Sequence, residues 1–132
     1  MTVFLDANIV VYLIGGAHPN RQRSQIVLDE LVLADTPLAT DAEVFQEILH
    51  RYGAIDRPDA VQPAFATLEG LVDEVFPIGM TEVRAAKNMM VEGRRVGARA
   101  ALHVASMRTN DVHRIFTFDR GFDRFLDLDR IA

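Results

Sequence analysis

Cysteine is absent from the 132 residues, which excludes disulfides and thiolate metal sites and leaves an oxygen-ligand metal open. Lysine is nearly absent: of 14 basic residues only Lys87 is lysine, and the rest are arginine. Arginine suits bidentate phosphate recognition better than lysine, although genomic base composition explains the same bias. Long apolar runs are missing too. The longest, Ile9 to Ile14, is far too short to span a bilayer, and no stretch combines a basic start, an apolar centre and a small-residue cleavage site. The expectation is a cytoplasmic protein with no membrane contact. No glycine-rich loop follows the first apolar run, which argues against dinucleotide binding. The net charge of -5 argues against coating nucleic acid by bulk electrostatics. It does not exclude an enzyme acting on nucleic acid, because an acidic site can carry its own cations.

What is present fits one domain over residues 1–132 with a sizeable core, 49% hydrophobic and 25% charged. Short apolar strands are predicted at Val3–Leu5, Pro37–Thr40, Val75–Ile78, Arg114–Phe118 and, last, Asp127–Ile131. Pro77 marks the third as an edge strand. Helices are predicted over Asn8–Leu13, Asn20–Leu33, from an Asp41 cap to Tyr52, from Pro58 to Leu71, from Thr81 to near Gly93, and over Ala98–Met107. The alternation reads as an α/β fold: a short, mostly parallel sheet flanked by helices.

Two aspartates close predicted strands, Asp6 after Val3-Phe4-Leu5 and Asp119 after Ile115-Phe116-Thr117-Phe118. In an open parallel sheet the carboxyl ends of the strands are where ligands bind. Two acids there form a negative pocket that is unfavourable without a cation or a proton. A divalent metal is the expected occupant, and it points to metal-assisted phosphate chemistry. Singly, each aspartate is equally well explained as a turn former. Glu47 is the third candidate, bordering the Val44/Ile48 side of its helix, whereas Glu43 is expected to face solvent. The competing account of Glu47 is an i,i+4 ion pair with Arg51. Arg99, His103 and Ser106 form one polar stripe on an otherwise apolar helix; His103 reads more readily as a satisfied interface histidine than as a contact to RNA or to the metal's surroundings. Arg94, Arg95, Arg99, Arg120 and Arg124 are the candidates for gripping an RNA backbone, against an equal reading as a solvated face.

Phe4-Leu5-Asp6-Ala7-Asn8, Gln46-Glu47-Ile48-Leu49 and Thr117-Phe118-Asp119-Arg120-Gly121-Phe122-Asp123, in this order and spacing, resemble a PIN-domain protein, and more narrowly a VapC-type toxin of a bacterial toxin–antitoxin pair. The resemblance runs from Val3 to Ile131. It implies a Rossmann-like sheet and an endoribonuclease dependent on Mg²⁺ or Mn²⁺, leaving 5′-phosphate and 3′-hydroxyl ends. It also implies a homodimer neutralised by a VapB-like antitoxin. Asp6, Glu47 and Asp119 are its catalytic, metal-holding acids, with Asp123 as a secondary ligand. The chain departs from the family at Arg99-Ala100-Ala101-Leu102-His103, where Ala100 replaces a metal-ligand Asp. Hard cations are held by ligand count and charge, so little or no activity is expected. Deliberate inactivation and natural degeneracy both account for Ala100, and the intact remaining acids favour the first. The rival reading is a PIN-fold binding module for an antitoxin or for self-association. In that view Ile9–Ile14 and Ile26–Val32 form a groove for a partner helix. A phosphate-accepting receiver domain ranks low, because the only lysine lies within a predicted helix.

Overall fold

Val3, Phe4 and Leu5 form β1 (Val3–Leu5), and all three are fully buried. This is the pattern of a central strand covered on both faces, where the apolar run is continuous rather than alternating. The computed structural model describes residues 1–93 and 95–132. Arg94, one of the expected RNA-gripping residues, lies outside the described residues. β1 pairs in parallel with β2 (Leu38–Asp41) on one side and β4 (Arg114–Phe116) on the other. β3 (Glu74–Phe76) and β5 (Asp129–Ile131) complete a parallel sheet in the order β3-β2-β1-β4-β5. β3 is an edge strand, as Pro77 predicts. It stops just before that proline, which has no N–H to donate to a ladder.

Among the described residues six α-helices flank the sheet: α1 (Ala7–Ile14), α2 (Pro19–Leu33), α3 (Ala42–Ala54), α4 (Val61–Leu71), α5 (Met80–Val91) and α6 (Ala98–Thr109). The 3₁₀ turns Pro58–Ala60 and Arg120–Arg124 interrupt the connections. Phe4, Leu5, Ile9, Ile48, Leu68, Ile115 and Phe116 fill the core between the layers. Among the described residues no helix is long and apolar enough to cross a membrane.

The chain starts at the centre of the sheet, builds outward through β2 and β3, then returns past β1 to add β4 and β5. The order therefore reverses between β1 and β4, and a crevice opens there at the carboxyl ends of the strands. Asp6 follows β1 directly and Asp119 follows β4 by three residues, so both candidate acids emerge at this switch point. β4 ends at Phe116 rather than the expected Phe118. The Thr117 amide still donates to the Ile131 carbonyl (3.2 Å), and the two after it turn to side-chain acceptors, Phe118 N–H to Asn8 Oδ1 (3.3 Å) and Asp119 N–H to Thr117 Oγ1 (3.0 Å).

Three helices close with an aspartate in the left-handed region: Asp35 after α2, Asp56 after α3 and Asp111 after α6, with φ of 56°, 54° and 56°. In each case the following amide reaches back to the last helical turn, as when Arg57 N–H donates to the Tyr52 carbonyl at 2.8 Å. A Cβ is disfavoured in that region. Asp56→Gly is expected to stabilise the fold by about 0.5–1 kcal/mol, the relief of backbone strain exceeding the added freedom of the unfolded chain. Urea unfolding checks this; an unchanged or lower midpoint contradicts it.

Candidate active site

Asp6 caps α1, its Oδ1 accepting the Ala7 N–H at 2.8 Å. The other oxygen accepts the Thr117 hydroxyl at 2.7 Å and an Asn8 amide hydrogen at 3.4 Å. Asn8 Nδ2 also donates to Thr117 Oγ1 at 2.9 Å. Thr117 thus ties the end of β1 to the turn that carries Asp119. Asp6 is 5% exposed. Burial raises its pKa and Glu47 raises it further, while His103, Thr117 and the Ala7 amide pull it down; the net shift is upward. Asp119 is exposed and caps the 3₁₀ turn, accepting the Gly121 N–H at 2.8 Å.

Glu47 enters from α3. Its Oε1 lies 2.6 Å from His103 Nε2, and the competing account of Glu47 is not met: no Glu47–Arg51 ion pair occurs among the described residues. His103, on α6, is 1% exposed. Its Nδ1 lies 2.8 Å and 3.0 Å from the two oxygens of Asp41, and its Nε2 is 3.8 Å from Asp6 Oδ1. Carboxylates accept, so a ring with one on each nitrogen donates from both and is an imidazolium. Burial alone would lower the pKa of this ring. The hydrogen bonds to Asp41 and Glu47, with the charges of Asp41 and Asp6, outweigh it and push the value up to about 10. Asp41 is fully buried between β2 and α3; it caps α3 through Val44 N–H (2.9 Å) and accepts the Ser106 hydroxyl at 2.7 Å.

One reading of α3 is corrected by this packing, and another, the Asp41 cap, is met and extended. Glu43 does not face solvent: its side chain is 17% exposed against 21% for Glu47, and Arg99 Nε lies 3.7 Å away. Desolvation first, then Glu47 and Asp41, raise its pKa against the pull of His103 and Arg99. Asp41 serves as more than a helix cap, since it also holds the buried imidazolium. The signal available was the His103/Ser106 stripe on α6, which required a polar counterpart on the helix packed against it.

Asp6, Glu47 and His103 each offer a donor atom, all within 4.8 Å of one another. Asp6, Glu47 and Asp119 line one hollow of about 300 Å³ together with Asn8, Arg51 and Arg99. Ala100 is half-buried in the first turn of α6, packed against the core beside Arg99, and does not itself line the hollow. Asp123 stands apart, accepting from Arg130 Nε and Nη2 at 2.8 Å and 3.2 Å. The physical reason is local: the turn after Asp119 is 3₁₀, where residues three apart, not four, share a face. Of the expected RNA-gripping arginines that are described, Arg99 alone lines the acid hollow, and Arg51, not anticipated, joins it. Arg95 and Arg124 line a different hollow with Arg108, and Arg120 is exposed beside Asp119.

The family model for the PIN domain matches residues 3–127. Ribonuclease VapC13 of Mycobacterium tuberculosis is 44% identical over 130 residues, 98% of this chain and 99% of that protein. Ribonuclease VapC23 of the same species is 31% identical over 117 residues, 89% of this chain and 92% of the relative. Among solved structures, VapC20 of Mycobacterium tuberculosis, a Sarcin-Ricin loop cleaving toxin, aligns with a TM-score of 0.75 at 18% identity over 92% of this chain and 93% of that one. VapBC2 from Rickettsia felis, bound to a DNA fragment from its promoter, aligns with a TM-score of 0.75 at 15% identity over 99% of this chain and 98% of that one. A five-stranded parallel sheet with acids gathered at its switch point, a family match across nearly the whole length and full-length relatives at this identity agree: the chain belongs to the PIN-domain family and, within it, to the VapC-type ribonucleases.

Proposed function

We propose that this chain is built on the site of a Mg²⁺- or Mn²⁺-dependent endoribonuclease toxin, and that it is silenced or weakened by alanine at position 100. The observation that carries the reading is the convergence of Asp6, Glu47 and Asp119 on one hollow whose rim holds Arg51 and Arg99. The donor set fits a hard divalent cation. Carboxylate oxygens are its preferred ligands, and burial first, then Glu47, raise the pKa of Asp6, so the charged form of this acid is costly until a cation joins it. Asp6, Glu47 and Asp119 would hold the ion, and His103, already an imidazolium bonded to Asp41, orients Glu47 instead of ligating. When bound, such an ion supplies Lewis acidity and charge neutralisation for phosphodiester hydrolysis. Thr117 and Asn8 hold Asp6 in place through hydrogen bonds to its outer oxygen. Arg51 and Arg99 offer guanidinium forks to the phosphate of the bound strand.

The partner in this reading is a VapB-like antitoxin. A groove of about 580 Å³ lined by Leu13, Ile14, Leu28, Val32, Leu33 and Leu71 supports it, with Leu33 88% exposed. An amphipathic helix lays its apolar face into such a groove. Ile9 and Val10, by contrast, belong to the core, so only the end of the first apolar run is open to a partner. A homodimer belongs to the same proposal by family resemblance.

Ala100→Asp is the test. The restored acid is expected to raise Mg²⁺-dependent cleavage of single-stranded RNA by about tenfold or more, abolished by EDTA. Calorimetric titration with Mn²⁺ should show tighter binding in the variant. No gain in cleavage and no Mn²⁺ binding in either form would leave the binding-module reading in its place.

A further inference from the structure

Beside the acid hollow lies another of about 300 Å³, and the two share Val11, Tyr12 and Arg51 as a common wall. No acidic side chain lines this second hollow; His18 and Tyr52 do. Tyr12 and His18 lie with ring centroids 4.8 Å apart and planes inclined by 32°. Phe118 braces Tyr12 edge-on at 5.4 Å. His18 is exposed but held in place: it caps α2, and its Nδ1 accepts the Asn20 N–H at 3.0 Å. Arg51 stands at the seam between the hollows. It engages no carboxylate among the described residues, because Glu47, its natural i+4 partner, is turned to His103.

We infer that Tyr12 and His18 form a stacking shelf for the base of the nucleotide next to the scissile phosphate, with Arg51 holding the phosphate that joins the two hollows. The inference rests on the ribonuclease reading above. An aromatic pair braced from behind, opening into a concavity without acidic groups, takes the π-face of an unstacked base, and a cation at its edge takes the adjoining phosphate. A paired base inside a duplex presents no free face, so the ligand class is single-stranded RNA. Stacking of this kind tolerates any base. Selection at the shelf is therefore for strand accessibility and not for one sequence.

The chain as it stands, in Mg²⁺, is mixed with a fluorescein-labelled single-stranded hexaribonucleotide pool, and binding is read by anisotropy with RNA integrity checked on a gel. Tyr12→Leu and His18→Ala are each expected to weaken binding about five- to tenfold, while Tyr12→Phe stays within about twofold. Arg51→Ala should weaken binding and flatten its salt dependence. Arg23→Ala, an exposed arginine on α2 outside both hollows, should change nothing. Wild-type affinity in His18→Ala overturns the shelf, as does a loss in Arg23→Ala equal to the losses in the shelf variants. Should Tyr12→Leu fail to fold, the exposed His18 decides the question alone. Losses confined to the shelf variants support the inference even if Ala100→Asp never cleaves RNA, an outcome that would remove only the ribonuclease reading.

Discussion

His103→Ala is expected to lower the melting temperature by about 10–20 °C, the largest stability loss of any single substitution in the site. The imidazolium sits between Asp41 on one nitrogen and Glu47 on the other, with Asp6 Oδ1 3.8 Å from Nε2. Removing it leaves the fully buried Asp41 with only the Ser106 hydroxyl and the Val44 amide. Breaking a buried ion pair from one side costs about 3–5 kcal/mol, because the surviving charge stays buried and unpaired. In a domain of this size that corresponds to the stated range. Asp41→Asn in the same chain keeps an acceptor for the Val44 amide and removes the orphaned charge, so the double variant should recover part of the loss. Thermal melts of the four proteins check this; a double variant no better than His103→Ala alone would contradict the charge explanation.

The same ring sets a pH dependence whose sign follows from its shift. The folded value, about 10, lies above the ordinary 6.5. Its contribution is fully present below about pH 6.5 and is lost as the pH rises through about 10. The raised carboxyl of Asp6 acts in the same direction at lower pH: the folded state holds its proton more tightly than the unfolded chain, so acidification favours folding there as well. Unfolding free energy should fall steadily from pH 7 to pH 10 in the unsubstituted chain and stay nearly flat in His103→Ala.

Most of the sheet and the placement of the acids are legible in the sequence because they depend on local chemistry. Val3-Phe4-Leu5 followed by a capping aspartate reads as a buried strand and a turn wherever it occurs, and Pro77 limits an edge strand by lacking a donor. The Asp41–His103 pair is not legible, for a reason of the same kind. A cap explains Asp41 completely from its own helix, and the residue it bonds lies 62 positions away on α6. The apolar arc of α3, taken alone, assigns Glu43 to solvent; packing against α6 brings Arg99 beside it. The α-helical period places Asp123 with Asp119, and the 3₁₀ turn does not obey that period. Spacing matches Arg51 to Glu47, but a buried imidazolium competes better for a carboxylate than an exposed guanidinium does. The partners of Asp41 and Glu43 are contacts between elements, which local periodicity does not encode.

Glu47→Gln should separate function from stability at a distance of 2.6 Å from the residue whose loss is expected to destabilise the protein most. The amide oxygen still accepts from His103 Nε2, so the ring keeps both partners. The charge that is lost attracted His103 but also repelled Asp6 and Glu43, both of whose carboxyls are raised partly by Glu47. The two effects offset each other on a partly exposed side chain, and the unfolding free energy should move by no more than about 1 kcal/mol. The response to divalent cations should change far more. In the Ala100→Asp chain, Mn²⁺ at about 100 times its dissociation constant should add about 2.7 kcal/mol of stability through mass action. With Glu47→Gln added, that increment should largely vanish and RNA cleavage should fall about a hundredfold. If instead Glu47→Gln lowers the melting temperature as His103→Ala does while Mn²⁺ still stabilises the fold, Glu47 serves the buried ion cluster and not the cation, and the metal must be held by Asp6 and Asp119 without it.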